Sequence, residues 1–394
     1  MRSLVIYPYV YIKVIGNETL LFNLVNNEYI INHDYSVSVL FNTLLQDVTI
    51  SNVINCHDLS DSFINDIVDK KMARLDVSNS AREILQFPSL NLKEKEISFA
   101  KSENFIERLK NLDHSPITID HTVGDNINII TIHYSTINLD SIYSQAYKQY
   151  PFPQLRTPIS HIDLDVLYSF LGSNKKIKRL NLVIGQVYDI DINPLLCFLN
   201  EIRMSIDCQI YFYCIEAADI DICKFEKLVD KIYVWRIGNN HKYNNNLLHL
   251  VMDYSDIEKL LMNEIYCPCY NLNNYEFLKD ILSYSINELF SLRHSEKGIL
   301  CKRYLNENTF GELTILSDGS IFSDISKESI GNVKYNSLND IVLKELSLIR
   351  NWFITRSNLD VCKNCIYNEL CPSVSKIELC MHKYCFCNKK LQSL

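Results

Sequence analysis

Glycine is scarce in this chain, 9 of 394 residues, against a usual share of about 7%. Loops that cradle phosphate need glycine so that backbone amides can close on the ligand. Neither GxGxxG nor GxxxxGKS/T occurs, so nucleotide binding by such loops is not expected. No stretch of about 18 apolar residues exists to cross a membrane. The start, Leu4–Tyr11, is apolar but reads as a strand without a small-residue cleavage site, so no signal peptide is expected. Like charges form no blocks. The net charge of −8 argues against a nucleic-acid partner, because phosphate binding is carried by clustered Lys and Arg. HExxH, GxSxG and protein-kinase signatures are missing too.

What is present is an ordinary globular balance, 47% hydrophobic and 22% charged residues. A chain of this length suggests two or three domains of roughly 100–200 residues and can bury a large core without disulfides. Its 14 cysteines therefore need another account. Without a secretion signal the protein is expected to be cytoplasmic, where thiols stay reduced and serve metals or catalysis.

Three regions can be read. Residues 1–100 are expected to form an α+β module. Apolar runs Leu4–Ile15, Leu20–Val25 and Tyr29–Ile31, parted by Gly16-Asn17 and Asn26-Asn27, predict a three-stranded meander. Asp34 or Ser36 then caps a helix through Leu45, and a second helix is predicted over Ser60–Leu75. This is the shape of a winged-helix or peptide-docking module, or of a plain α+β subdomain.

In residues 101–295 strands and helices alternate. Strands are predicted at Ile127–His133, Leu180–Ile184, Gln209–Ile215, Ile232–Ile237, Leu247–Met252 and Glu264–Cys267. Helices are predicted at Val166–Phe170, Pro194–Met204, Ile220–Val229, Asp256–Met262 and Glu276–Leu292. The alternation implies βα units on a parallel sheet, open or partly closed as a barrel, with active sites at the C-terminal strand ends. Tyr147–Gln154, with Pro151 and Pro153, reads as an ordered loop in which Tyr150 and Phe152 pack. Tyr211-Phe212-Tyr213 likewise reads as sheet packing. Residues 296–394 open with a hairpin, Gly311–Leu316 against Ser320–Phe322 around Asp318-Gly319. A helix over Ser337–Phe353 and a cysteine-rich end follow.

That end reads Cys362-x2-Cys365-x5-Cys371, then Cys380, Cys385 and Cys387, six of the 14 cysteines. A CxxC pair puts two thiolates within reach of one metal, and soft thiolates favour zinc and iron–sulfur centres over calcium or magnesium. The plain alternative is inert buried thiols, or disulfides formed after isolation. The other eight cysteines are scattered and read as core residues, Cys267-Pro268-Cys269 included. His382 is a candidate ligand in place of a cysteine. Cys56 and His57 are adjacent in sequence, which is not catalytic geometry.

With these spacings the tail resembles a SPASM domain, the C-terminal extension of radical S-adenosylmethionine (SAM) enzymes that modify peptides. Cys362, Cys365 and Cys371 match three positions of the family's CxxCx5CxxxC block, and Ser375 stands at the fourth. The hairpin matches the family's DG-x-(V/I)-(Y/F) element at Asp318–Phe322, with Asp324 where the family has a cysteine. Cys301 lies upstream, farther from Gly319 than the family pattern. The resemblance implies auxiliary [4Fe-4S] clusters. Asp324 and Ser375 remove two ligands of the first. The second keeps Cys362, Cys365, Cys371 and one of Cys380, Cys385 or Cys387; Cys385 is favoured because its distance from Cys371 allows a returning loop.

The family's defining CxxxCxxC motif, which would follow the first barrel strand, is absent from the chain. Its GGE element after the second strand is replaced by Gly185-Gln186-Val187. The combination resembles the pseudo-radical-SAM SPASM proteins of ribosomal-peptide modification systems. The resemblance implies an α/β fold, a degenerate radical-SAM-like partial (β/α) barrel between an N-terminal α+β module that resembles a leader-peptide recognition element and a C-terminal cysteine-rich SPASM-like domain. It implies a non-catalytic partner that binds a precursor peptide or a partner maturase, with one [4Fe-4S] cluster and no SAM. Two other readings stay open: an electron-transfer or peptide-modifying enzyme that uses the auxiliary cluster, and a zinc-stapled interaction module.

Overall fold

The structure, a computed structural model, describes residues 2–46, 52–76, 123–135, 141–154, 162–174, 176–185, 192–215, 222–236, 246–260, 264–384 and 386. At the N-terminus β1 (Ser3–Ile6) and β2 (Val10–Ile15) are separate strands, where one run from Leu4 was expected. Pro8 divides them. It has no N–H for a ladder and its fixed φ suits a turn, closed by the Val10 N–H to the Tyr7 carbonyl at 3.1 Å. β2 continues into β3 (Glu18–Asn23) and β4 (Tyr29–Asn32) as an antiparallel meander. β1 lies instead between β5 (Val53–Asn55) and β6 (Ala73–Asp76).

The helix Tyr35–Gln46 follows Asp34, whose Oδ1 accepts the Ser36 N–H at 2.9 Å. The next helix, Asp61–Asp69, is N-capped by Ser60 and stops well short of Leu75. Lys71 takes φ +55, and the chain leaves to pair with β1 as β6. An open strand edge outweighs local helix propensity there.

Six parallel strands then lie side by side in chain order: β7 (Ile129–His133), β8 (Arg179–Val183), β9 (Gln209–Ile215), β10 (Lys231–Arg236), β11 (Asn246–Val251) and β12 (Ile265–Pro268). β13 (Glu312–Ile315) joins the other edge, parallel to β7, and β14 (Ser320–Phe322) and β15 (Gly331–Asn332) add on antiparallel. The fold is therefore α/β with a large, mostly parallel sheet, and the expected C-terminal hairpin completes it. Glycine is required where β13 begins. Gly311 has φ +74, and a Cβ there would stand 2.3 Å from the Asn126 carbonyl oxygen.

Strand alternation gives the sheet two unlike faces. Ile130, Ile132, Leu180, Leu182, Leu313 and Ile315 form one core with the helices Leu164–Gly172, Asn193–Ser205 and Leu338–Leu348. Thr131, His133, Val183, Tyr213, Trp235 and Thr314 alternate with that set and face the other way.

Several expected helices differ in extent. Ile222–Lys224 is a single 3-10 turn, not a helix to Val229, because so short a segment holds a helix poorly; Ile220 lies outside the described residues. Asp253 caps a helix over Tyr254–Glu258, earlier than expected, and Met262 is again outside them. The run Glu276–Leu292 is two helices, Tyr275–Leu282 and Ile286–Ser291. Ser285 and Glu288 build a capping box that starts the second. The helix from Ser337 ends at Leu348, with Ile349 at φ +49. The break turns Trp352 into the core, where its Nε1–H meets the Glu312 carbonyl at 3.3 Å. Among the described residues no helix is long and apolar enough to cross a membrane.

Candidate functional site

After β7 the chain turns back over the sheet face that the helices leave bare. A short helix, Ala146–Gln149, starts this segment, where an ordered loop was expected throughout. Phe152 is fully buried against Trp235, ring centroids 5.4 Å apart. Trp235 Nε1–H donates to the Pro151 carbonyl at 2.6 Å, and the Tyr150 hydroxyl to the Pro268 carbonyl at 2.6 Å. Gln149 bonds Tyr270 twice, Nε2 to the carbonyl at 3.0 Å and Oε1 from the backbone N–H at 2.7 Å. The segment thus holds strand ends β10 and β12 together, and Ala146 and Phe152 share a core with Val183, Tyr213, Trp235 and Leu248. Tyr150 and Phe152 pack, as their aromatic character suggested.

Over β7 and β13 the same face stays polar, and a cleft with a cavity volume of about 50 Å³ opens there. Thr131 and His133 line it from β7, Glu312 and Thr314 from β13, and Lys148 from the returning segment. Asp324, just past β14, and Lys376 and Cys380 of the helix Lys376–Met381 close the other side. Lys376 Nζ meets Glu312 Oε1 at 2.5 Å. His133 is buried, and among the described residues its Nδ1 has no hydrogen-bond partner. Burial, helped by the Lys376 charge, lowers its pKa to about 3, so the imidazole is neutral at pH 7.

Both residues that stand at cysteine positions of the resembled family border this cleft or support its wall. Asp324 Oδ1 accepts the Ser326 N–H at 2.9 Å and hydroxyl at 2.5 Å. Ser375 caps the helix Lys376–Met381 in a reciprocal box with Glu378. Arg356 grips that carboxylate with two bonds, 2.7 and 3.0 Å. Cys380 faces the returning segment, its Sγ 3.7 Å from Gln145 Oε1 and 4.0 Å from Gln149 Nε2. Burial raises its thiol pKa, while Lys148 pulls it down and Asp324 pushes it up.

The other tail cysteines lie on tight turns. The Cys365 N–H bonds the Cys362 carbonyl, and the Cys371 N–H the Tyr367 carbonyl, each at 2.9 Å. Cys362 is buried and Cys365 and Cys371 are half-buried. The Cys362 Sγ lies 3.7 Å from the Tyr384 carbonyl, and the Arg356 guanidinium feels both Cys362 and Cys371. Three thiols lie on one short segment, two of them near a cation. They supply three donors. Cys385 and Cys387 lie outside the described residues, and among the described residues no three His, Cys, Asp or Glu side chains converge on a metal-sized point. Cys301 is half-buried on the helix Glu296–Tyr304, and His382 is exposed past the end of its helix. Gly185 donates its N–H to Ser135 Oγ at 2.8 Å; Gln186 and Val187 are outside the described residues.

Sequence reasoning missed Glu369, which sits between Cys365 and Cys371. Arg303 holds it with Nε at 3.1 Å and Nη2 at 2.8 Å, Lys13 Nζ at 2.8 Å and the Tyr11 hydroxyl at 3.2 Å. Burial pushes this carboxyl up, but the Arg303 hydrogen bonds and the charges of Lys13 and Arg303 outweigh it and hold the pKa below its ordinary value. Tyr11 and Lys13 belong to β2, so the cluster ties the N-terminal meander to the cysteine turns. Phe22 and Leu20 pack beside it on Phe290, Ile366 and Leu370. The one hint in the sequence is a lone charge close to two apolar residues, Ile366 and Leu370.

No family model matches the chain. No curated protein matches it. Among solved structures it is similar to the crystal structure of Streptococcus suis SuiB bound to S-adenosylmethionine, at 9% sequence identity over 86% of this chain and 87% of that chain, with a TM-score of 0.23. A TM-score that low decides nothing about what this chain binds.

Proposed function

We infer that this chain is a non-catalytic, pseudo-radical-SAM partner in the maturation of a ribosomally made peptide, binding the precursor peptide or a partner maturase in the cytoplasm. The observation that carries the reading is the packing of residues 143–152. In the resembled family the loop after the first barrel strand holds the cluster that reduces SAM. Here the chain after β7 has no CxxxCxxC, and Ala146, Tyr150 and Phe152 fill the aromatic half of the face that a barrel turns inward. Loss of the motif removes the catalytic step while the fold persists.

Cys362, Cys365 and Cys371 would hold one [4Fe-4S] cluster, with Cys385 as the favoured fourth ligand. Such a cluster supplies a structural staple and a one-electron couple. This chain's own contribution is to position the turns: Arg356 faces Cys362 and Cys371, and Glu369 anchors the stretch between Cys365 and Cys371 to Arg303 and Lys13. Zinc at the same thiols, giving a colourless interaction module, is the alternative that the donor set also allows.

Incubation of reconstituted protein with SAM and dithionite tests the reading. No 5′-deoxyadenosine is expected, in single or multiple turnover. Formation of even one equivalent per chain would overturn it.

A further inference from the structure

The cleft over β7 and β13 carries one ammonium and one carboxylate that no described residue neutralises. Among the described residues Lys148 makes no ion pair; its Nζ lies 6.0 Å from the Tyr147 ring centroid. Asp324 is only 9% exposed, and its donors are the N–H and hydroxyl of Ser326, with no cation among the described residues. Both line the same cleft. His133 also lines the cleft, and its buried Nδ1 has no partner among the described residues. Lys376 and Glu312 neutralise each other.

A buried carboxylate without a cation is unfavourable unless a ligand supplies one. A simple anion would be drawn to Lys148 but repelled by Asp324. A simple cation would be drawn to Asp324 but repelled by Lys148. A ligand bearing both charges meets both groups with its opposite sign. The cavity volume of the cleft is about 50 Å³, which limits the ligand to a small one.

We propose that this cleft binds a small zwitterion of the amino-acid class, with its ammonium on Asp324, its carboxylate on Lys148 and a hydrogen bond to His133 Nδ1. The assignment stands on the cleft alone and goes beyond the maturation role.

Isothermal titration of the full chain with the common free amino acids tests it, with propionate and ethylamine as single-charge probes. At least one amino acid should bind with a Kd below about 1 mM, and each single-charge probe at least about tenfold more weakly. Asp324→Asn and Lys148→Met should each weaken that amino acid by about tenfold or more, with the far-ultraviolet circular dichroism of the parent. If D324N does not fold, K148M alone decides. Absence of binding by every amino acid, propionate binding as tight as the amino acid, or unchanged binding in a folded K148M would overturn the proposal.

Discussion

Glu345 is fully buried beneath the C-terminal hairpin. The Ser323 hydroxyl donates to its Oε2 at 2.5 Å, and its Oε1 has no partner among the described residues. Burial raises its pKa from 4.5 to about 7, against the Ser323 hydrogen bond and Arg350 charge, which pull it down, and with a further push from Asp324. The sign follows from proton counting. Between pH 4.5 and about 7 the folded chain binds more protons than the unfolded one, so stability is fullest below the unfolded value and falls as pH rises. Glu345→Gln keeps an acceptor for Ser323 and removes the titration. Urea midpoints should show the variant more stable than the parent above pH 8, by about 1–3 kcal/mol, with the two converging near pH 4. Parallel curves across that range would count against this account. Glu369 makes the opposite case, a buried carboxylate whose cations are in place. Arg303→Met strands its charge and should cost about 3–5 kcal/mol. Lys13→Met should cost less, because Lys13 is partly exposed and Arg303 remains. Equal losses in chemical denaturation would contradict that ranking.

At the scale of elements, the returning segment after β7 acts as a clamp on the sheet. Phe152→Ala removes a fully buried ring from against Trp235 and should cost about 3–5 kcal/mol in guanidinium unfolding. A loss under about 1 kcal/mol would mean that the segment is not anchored as described. Much of this level could be read from sequence. The strands at Leu180, Gln209, Ile232 and Leu247 stand out as short apolar runs between polar stretches, and the Asp318-Gly319 turn marks its hairpin. What could not be read was set by distant partners. β6 forms because β1 offers an edge, and β13 lies beside β7 although almost 180 residues of chain separate them, a pairing no local pattern encodes. The break at Ser285 was legible, since Ser-x-x-Glu is a helix start. The site divides the same way: the tail cysteines are conspicuous by spacing, whereas Glu369, Arg303 and Lys13 meet only once three regions have packed.

For the whole molecule, the cysteine turns are bound from two sides before any metal is considered. The N-terminal meander reaches them through Glu369 and the contacts of Phe22 and Leu20 with Ile366 and Leu370. The cleft-side helix reaches them through Glu378 and Arg356. A centre held at this junction would join the N-terminal module, the sheet and the tail, and its ligation would add folding energy because the site does not exist in the unfolded chain. Iron and acid-labile sulfide per chain in anaerobically purified protein test the central claim most directly. The account predicts about four of each, lost in Cys362→Ala, Cys365→Ala and Cys371→Ala and retained in Cys301→Ala. Zinc in place of iron, or about eight irons per chain, would contradict it.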